Sequence, residues 1–398
     1  MGFRTLDDVD VAGKRVILRV DFNVPMSQGK VCDQTRIERH KETIMELQRR
    51  GAKIILLSHC GRPKGKVELE FSLHPIIEPL EKITNHPVSF IPDCIGASVQ
   101  MAVDKLQNGS ILLLENVRFY SGEEKNDRSF AEALVHNADL YVNDAFSVSH
   151  RAHASVEGIT HLLPSYAGRS LQGELQALEK GLGNPIRPVV AIVGGAKVSS
   201  KLFVLDHLVE KVDHLVIGGG MANSFLAAQG VCVGKSVCEH ALIETTLKIM
   251  EKAKKCKCTL LLPVDAVVGF RFEKNTPYHL YDIMDIPDDG MIFDIGGRSV
   301  ERINDVIDEA ATLVWNGPIG VFEMPPFDQG TVAVARHAAQ RSKKGQLVSI
   351  AGGGDTVFAL NYAGVANDFT YLSTAGGAFL EWMEGKALPG ILALMQNS

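Results

Sequence analysis

No apolar run in this 398-residue chain approaches bilayer length. Runs such as Ile111–Leu114 and Val189–Val193 are four or five residues long, whereas a membrane-spanning helix needs about 20. Positive charge is not in excess either. Lys and Arg number 41 against 47 Asp and Glu, a net charge of −6, which argues against nucleic acid or an anionic membrane as the main partner. A cysteine framework is missing. The seven cysteines (Cys32, Cys60, Cys94, Cys232, Cys238, Cys256, Cys258) are odd in number and scattered, and Cys256-Lys257-Cys258 has no second ligand pair at zinc spacing. The amino terminus is charged from Arg4 onward, without an apolar leader. A cytoplasmic protein with reduced thiols is therefore expected.

Standard nucleotide signatures are absent as well. Gly218-x-Gly220 lacks a glycine at 223 and Gly352-x-Gly354 lacks one at 357, so there is no dinucleotide fingerprint. Gly230 to Ser236 has only three residues between its glycines, too few for a Walker loop. Asp21-Phe22-Asn23 is not the Asp-Phe-Gly of protein kinases, and no catalytic-loop signature accompanies it. A two-domain nicotinamide oxidoreductase would need the first of these.

What is present is a long alternation of short β-rich runs with helical stretches. One series is Val16–Val20, Lys53–Ser58, Val88–Ile91, Ile111–Glu115 and Leu140–Asn143. A second is Val189–Val193, His214–Ile217, Thr259–Pro263, Leu313–Trp315, Leu347–Ile350 and Phe369–Leu372. Such alternation predicts βαβ units, hence an α/β protein of two Rossmann-like domains with parallel sheets flanked by helices. The length also suits two cores better than one. Between the series, leucines 171, 175, 178 and 182 are at helical spacing, and Gly183-Asn184-Pro185 ends that helix. The expected division is 1–170, a linker helix 171–185, and 186–380, with 381–398 packing back on the first domain and the active site in the interdomain cleft.

Polar residues gather where the predicted strands end. Asp21 and Asn23, in Arg19-Val20-Asp21-Phe22-Asn23-Val24-Pro25, would point the same way from an extended tip, with Phe22 opposite. Asp33-Gln34-Thr35-Arg36 opens a helix. Ser58-His59-Cys60-Gly61-Arg62-Pro63, Glu115-Asn116-Val117-Arg118-Phe119 and His150-Arg151 follow other strands. Singly these read as solvated loop charges. Jointly, parallel strands place their carboxyl ends on one edge, where Arg36, His59, Arg62, Arg118 and Arg151 would meet Asp21 and Asn23. So many guanidiniums without matching carboxylates call for a multiply charged ligand such as a small phosphorylated acid. Thirteen of the eighteen arginines lie in the first 199 residues.

The second half marks five strand ends with glycine: Gly194-Gly195-Ala196-Lys197-Val198-Ser199-Ser200-Lys201, Gly218–Asn223, Trp315–Glu323, Gly352-Gly353-Gly354-Asp355-Thr356 and Ser373-Thr374-Ala375-Gly376-Gly377. Lys197 and Lys201 share a face if helical. Glycine lets backbone approach phosphate, and Asp355 with Thr356 suits Mg²⁺ and phosphate oxygen. An anion-binding protein without catalysis could keep the arginine cluster but has no use for the lysine pair and the Gly-Gly-Asp-Thr run together.

These segments, in this order, resemble the phosphoglycerate kinase family along essentially the whole chain. Ala375 stands where the family usually has glycine, and Gly297 where proline is common. The resemblance implies reversible phosphoryl transfer from 1,3-bisphosphoglycerate to ADP, with domain closure, in a monomer that binds neither nucleic acid nor membrane. It places Asp21, Asn23, Arg36, His59, Arg62, Arg118 and Arg151 on the phosphoglycerate. Arg36 and Lys197, with the backbone around Gly376 and Gly377, would stabilise the transferring group. Lys201, Gly297, Glu323, Gly353, Gly354, Asp355 and Thr356 would hold the nucleotide, with Asp355 on Mg²⁺.

Overall fold

A computed structural model describes residues 2–136 and 138–396. The chain divides into two compact units, Met1–Leu175 with Ala387–Ser398, and Gln176–Lys386. The break falls inside the helix Arg169–Leu178, which runs on into a π-helical turn, Glu179–Gly183.

The first unit is built on a six-stranded parallel sheet. Its order is Val88–Ile91, Ile111–Leu114, Lys53–Leu57, Arg15–Arg19, Leu140–Asn143, Ser165–Ala167. The central strands are buried on both faces, as parallel strands covered by helices must be, so they read as unbroken apolar runs. Each Leu or Ile buried there contributes roughly 1.5–3 kcal/mol. After Arg15–Arg19 the chain builds outward on one side, then returns to add Leu140–Asn143 on the other. The loops after these two neighbours therefore open a crevice at the switch point. Ser165–Ala167 and a small hairpin, Met26–Ser27 with Lys30–Val31, were not anticipated, because three- and two-residue pairings carry no periodic signal.

The second unit repeats the design with the order Thr259–Leu261, His214–Ile217, Val189–Val193, Thr312–Asn316, Val348–Gly352, Tyr371–Ser373. Its switch point lies between Val189–Val193 and Thr312–Asn316. The parallel α/β fold is as expected, with one correction. A three-stranded antiparallel sheet, Tyr278–Asp282, Asp265–Gly269 and Met291–Ile295, is added to the second unit. Its outer strand begins with three exposed residues, Tyr278, His279 and Leu280, so the half-buried alternation that signals a strand is missing.

At the end of the chain, Gly390 N donates to Ser149 O at 2.9 Å, and Ile391 and Leu394 are buried within the first unit. Residues just before this belong to the second unit, where Lys386 stacks over Phe203 at 5.5 Å. Among the described residues no helix is long and apolar enough to cross a membrane.

Candidate active site

In the first unit, the strand Arg15–Arg19 ends one residue earlier than its apolar pattern suggests, and Val20–Pro25 is irregular. Asn23 N donates to Asp21 Oδ1 at 3.0 Å. Asp21 and Asn23 are thus brought side by side by a turn closed on the aspartate, while Phe22 is fully buried. Asp21 Oδ2 accepts from Ser147 Oγ at 2.5 Å and from Arg36 Nη1 at 3.4 Å. Arg36 Nη1 also donates to Asn23 O at 2.7 Å, and its side chain keeps 37% exposure. Asp33 Oδ1 accepts from Thr35 N at 2.8 Å and so orders the start of the helix Thr35–Arg39.

The neighbouring loops close on this turn. Asn23 Oδ1 accepts from Gly61 N at 2.9 Å, and Gly61 O accepts from Arg118 Nη1 at 2.8 Å. Arg118 is buried, and its Nε has no hydrogen-bond partner, with the Glu124 carboxylate 3.5 Å away. Burial pushes the Arg118 pKa below the ordinary guanidinium range, and the Arg19 charge adds to this. Such a cation is poised for an anionic ligand. Arg62 stands exposed in the loop after Lys53–Leu57. Arg151 is half-buried, with Nε donating to His150 Nε2 at 3.2 Å. Burial alone would raise the Asp21 carboxyl, but attraction to His59 wherever that ring is protonated, the Arg36 charge and the bonds from Ser147 and Asn23 outweigh it and hold the carboxyl below the usual carboxylate range. His59 moves well below the usual imidazole range, mainly by burial and further by Arg19, Arg118 and Arg36, against the pull of Asp21. At neutral pH the aspartate is ionised and the imidazole neutral.

In the second unit, Lys201 sits across the switch point. Its Nζ donates to Gly194 O at 2.6 Å and to Asn316 O at 3.1 Å. An ammonium has three donors, so one remains for a ligand. Burial lowers its pKa to about 8, partly offset by Asp355. Gly317, at φ +95°, leaves room for this amine: a Cβ there would come within 2.7 Å of Nζ.

Lys197 does not share a helical face with it. Lys197 has extended backbone, the 3₁₀ turn Val198–Ser200 intervenes, and Lys197 is exposed while Lys201 is held between loops. The extended backbone at Lys197 and the 3₁₀ turn break the helical register that the spacing alone suggested.

The helices Gly354–Tyr362 and Gly376–Met383 start beside each other. A methyl on Gly376 would lie 3.9 Å from Gly353 Cα and Gly354 N. Their first N–H groups have no partners within the helix and carry its positive end. Gly353 is required here: its φ is +97°, and a Cβ would come within 2.6 Å of Asn316 Nδ2. Gly377 follows in the first turn, exposed. Ala375 has φ −95°, so alanine fits without strain where glycine was expected. Thr356 also has a structural part. Its hydroxyl accepts from Gly317 N at 2.7 Å and donates to Gly352 O at 2.8 Å, so the side chain ties two loops together and only the backbone N–H is left for phosphate.

These loops open into a cavity of about 510 Å³, a size suited to a nucleotide. Lys235, Glu323 and Asp355 line its polar part, and Leu226, Met291 and Phe293 its apolar wall. Gly297 is the first residue of the helix Gly297–Glu309, just beyond the wall formed by Phe293–Ile295, with open space around its Cβ position. That is a position where proline and glycine are both accommodated. Among the described residues no three His, Cys, Asp or Glu side chains are grouped to hold a metal ion. A lone exposed Asp355 beside a phosphate site still fits Mg²⁺, which takes one or two carboxylates and completes its shell with waters and phosphate oxygens.

Several participants escaped the sequence reading. Ser147 lies between the singled-out Asn143 and His150, yet a lone serine carries no signal. Asn316 is buried, bonds to Gly352 O at 2.7 Å through Nδ2, and in sequence marks only a strand end. Met291 and Phe293 come from the antiparallel addition and Lys235 from a loop bonded to it through Gly290 O, whereas Leu226 belongs to the helix Gly220–Ala228.

The family model for phosphoglycerate kinase matches residues 6–386. The chain belongs to the phosphoglycerate kinase family. It is 81% identical to the phosphoglycerate kinase of Bartonella henselae, each chain covered in full, and 63% identical to that of Brucella abortus over 98% of this chain and 99% of the other. The structure of phosphoglycerate kinase from Coxiella burnetii superposes with a TM-score of 0.93 at 41% identity, covering 99% of both chains. As a phosphoglycerate kinase the chain catalyses the glycolytic transfer of a phosphoryl group between 1,3-bisphosphoglycerate and ADP, with a carboxyl group as acceptor in the reverse direction.

Proposed function

We propose that the first unit holds the phosphoglycerate and the second the nucleotide, and that the two close to bring donor and acceptor into line. Asp21, Asn23, His59, Arg62, Arg118 and Arg151 bind the phosphoglycerate. Arg36 and Lys197, with the N–H groups at Gly376 and Gly377, offset charge on the transferring group. Lys201, Glu323 and residues Gly353–Thr356 hold the nucleotide, and Gly297 borders it. Asp355 would bind Mg²⁺, which supplies charge neutralisation at the nucleotide phosphates.

The observation that carries this reading is the buried Arg118, whose Nε has no hydrogen-bond partner, beside a turn that already orients Arg36. Phosphoryl transfer asks for alignment and charge cancellation. The carboxylate acceptor is ionised at neutral pH, so no general base is needed, and cations rather than a His–Asp pair dominate the site. The protein acts as a cytoplasmic monomer.

A coupled assay for ATP formed from 1,3-bisphosphoglycerate and ADP checks the reaction. Small-angle X-ray scattering checks closure. The radius of gyration should fall with ADP, Mg²⁺ and 3-phosphoglycerate together and less with either substrate alone, and an unchanged radius with both would remove the closure step.

A further inference from the structure

Arg19, the last residue of the central strand Arg15–Arg19, has a guanidinium with no exposed surface. Nε donates to Ser155 Oγ at 2.8 Å, Nη1 donates to Val20 O, and Nη2 lies 3.3 Å from His59 Nδ1. Ser155 is itself fixed: its hydroxyl donates to Glu123 Oε1 at 2.6 Å and its N–H to Oε2 at 2.9 Å. Glu123 is fully buried. The Arg19 charge is therefore balanced from behind, through Ser155, and its front edge faces the imidazole.

A guanidinium only donates. A proton on His59 Nδ1 would set two donors against each other, so Nδ1 must accept and the single proton of the neutral ring must sit on Nε2. We propose that Arg19 is a positioning residue that keeps His59 neutral and in the Nε2–H tautomer, so that the ring offers phosphoglycerate a fixed hydrogen-bond donor rather than a titrating cation. This rests on the assignment of His59 to the phosphoglycerate half-site. The charged groups acting on the ring agree with it. Arg19 from the strand, Arg36 from the helix Thr35–Arg39 and Arg118 from the turn Val117–Phe119 all disfavour an imidazolium, together with burial, and only Asp21 favours one.

The expected consequence is a substrate site whose histidine does not titrate across the physiological range. Long-range ¹H–¹⁵N spectra of the full chain, with the His59 signal identified by its loss in His59→Gln, read the tautomer directly. Nε2 should be protonated and Nδ1 bare from pH 5 to 8. An imidazolium appearing in that range, or a proton on Nδ1, would overturn the proposal. Adding 3-phosphoglycerate should shift Nε2; the expected tautomer without that shift would keep the ring geometry but refute its use as a donor to the substrate.

Arg19→Met supplies the second readout, provided that circular dichroism shows it folded. His59 should then populate the Nδ1–H tautomer beside the Nε2–H form, and should protonate at a higher pH than in the unsubstituted protein because one opposing charge is gone. The KM for 3-phosphoglycerate should gain a several-fold pH dependence, relative to the unsubstituted protein, that Arg19→Lys largely removes. A His59 that keeps the pure Nε2–H tautomer without Arg19 would refute the positioning role.

Discussion

His40 Nδ1 lies 2.7 Å from Asp144 Oδ2, and this buried pair ties the Asp21 turn to the start of the helix Arg169–Leu178. His40 Nε2 accepts from Asp21 N at 3.0 Å, so the ring proton must be on Nδ1, facing the carboxylate. Asp144 Oδ1 accepts from Ser170 N at 2.9 Å and from Leu171 N at 3.3 Å, capping the helix. Backbone, imidazole, carboxylate and helix start form one chain of bonds. Removing the ring leaves one buried carboxylate oxygen and one buried N–H without a partner, which costs about 1–3 kcal/mol for each group. His40→Ala should therefore lose roughly that much stability and raise the KM for 3-phosphoglycerate by misplacing Asp21. Hydrogen exchange of the strand Arg15–Arg19 checks the first effect and steady-state kinetics the second.

Arg36→Ala should separate chemistry from folding. The side chain is more than a third exposed and bonds only to Asn23 O and Asp21 at the turn. Loss of an arginine that stabilises a phosphoryl-transfer transition state typically costs about 10³–10⁵ in kcat. Stability should fall by about 1 kcal/mol, the scale of a partly exposed ion pair and one hydrogen bond. Near-normal turnover would remove Arg36 from the transferring group; a large loss of stability would show that the turn depends on it.

Lys201→Met should weaken ADP binding by roughly 10- to 100-fold, the effect of losing a hydrogen bond from a charged donor. The pH dependence has a definite sign. The free ammonium has its pKa lowered to about 8, so it is charged below that pH and loses its charge above it. ADP affinity in the unsubstituted protein should fall between pH 7 and pH 9, and that portion of the fall should vanish in Lys201→Met. Titration calorimetry at both pH values measures it.

The main lines of both sheets were legible because buried parallel strands advertise themselves as short apolar runs. Val88–Ile91, Leu140–Asn143, Val189–Val193 and His214–Ile217 end where the sequence says they should. The antiparallel sheet was not legible, since Tyr278–Asp282 is mostly exposed. The arginines and Lys201 stood out as candidates because positive charge repeated at one strand end after another suggests an anion shared between them. Partners that work through one hydrogen bond, such as Ser147 on Asp21 or Ser155 behind Arg19, depend on residues more than a hundred positions away. No local pattern encodes them. The Lys197–Lys201 pairing failed for a related reason: spacing of four means one face only where the backbone is helical.

Asp294 gives the second unit a pH-dependent stability that a single substitution should abolish. It lines the nucleotide cavity yet is only 1% exposed. Burial raises its carboxyl to about 7, against the bonds from Gly330 N at 2.7 Å and Ile295 N at 2.9 Å. Between its ordinary value of 3.8 and 7 the folded chain keeps a proton that the unfolded chain has released. Unfolding then becomes more favourable as pH rises through that window, by up to about 1.4 kcal/mol per pH unit, and the effect levels off above 7. Both tryptophans, Trp315 and Trp382, lie in the second unit, so their fluorescence in urea titrations follows this unit. Asp294→Asn should lower stability between pH 5 and 7, because the amide Nδ2 would face a backbone N–H that a carboxyl oxygen accepts from in the unsubstituted chain, but it should flatten the slope across that window. If the slope survives the substitution, another group holds the proton.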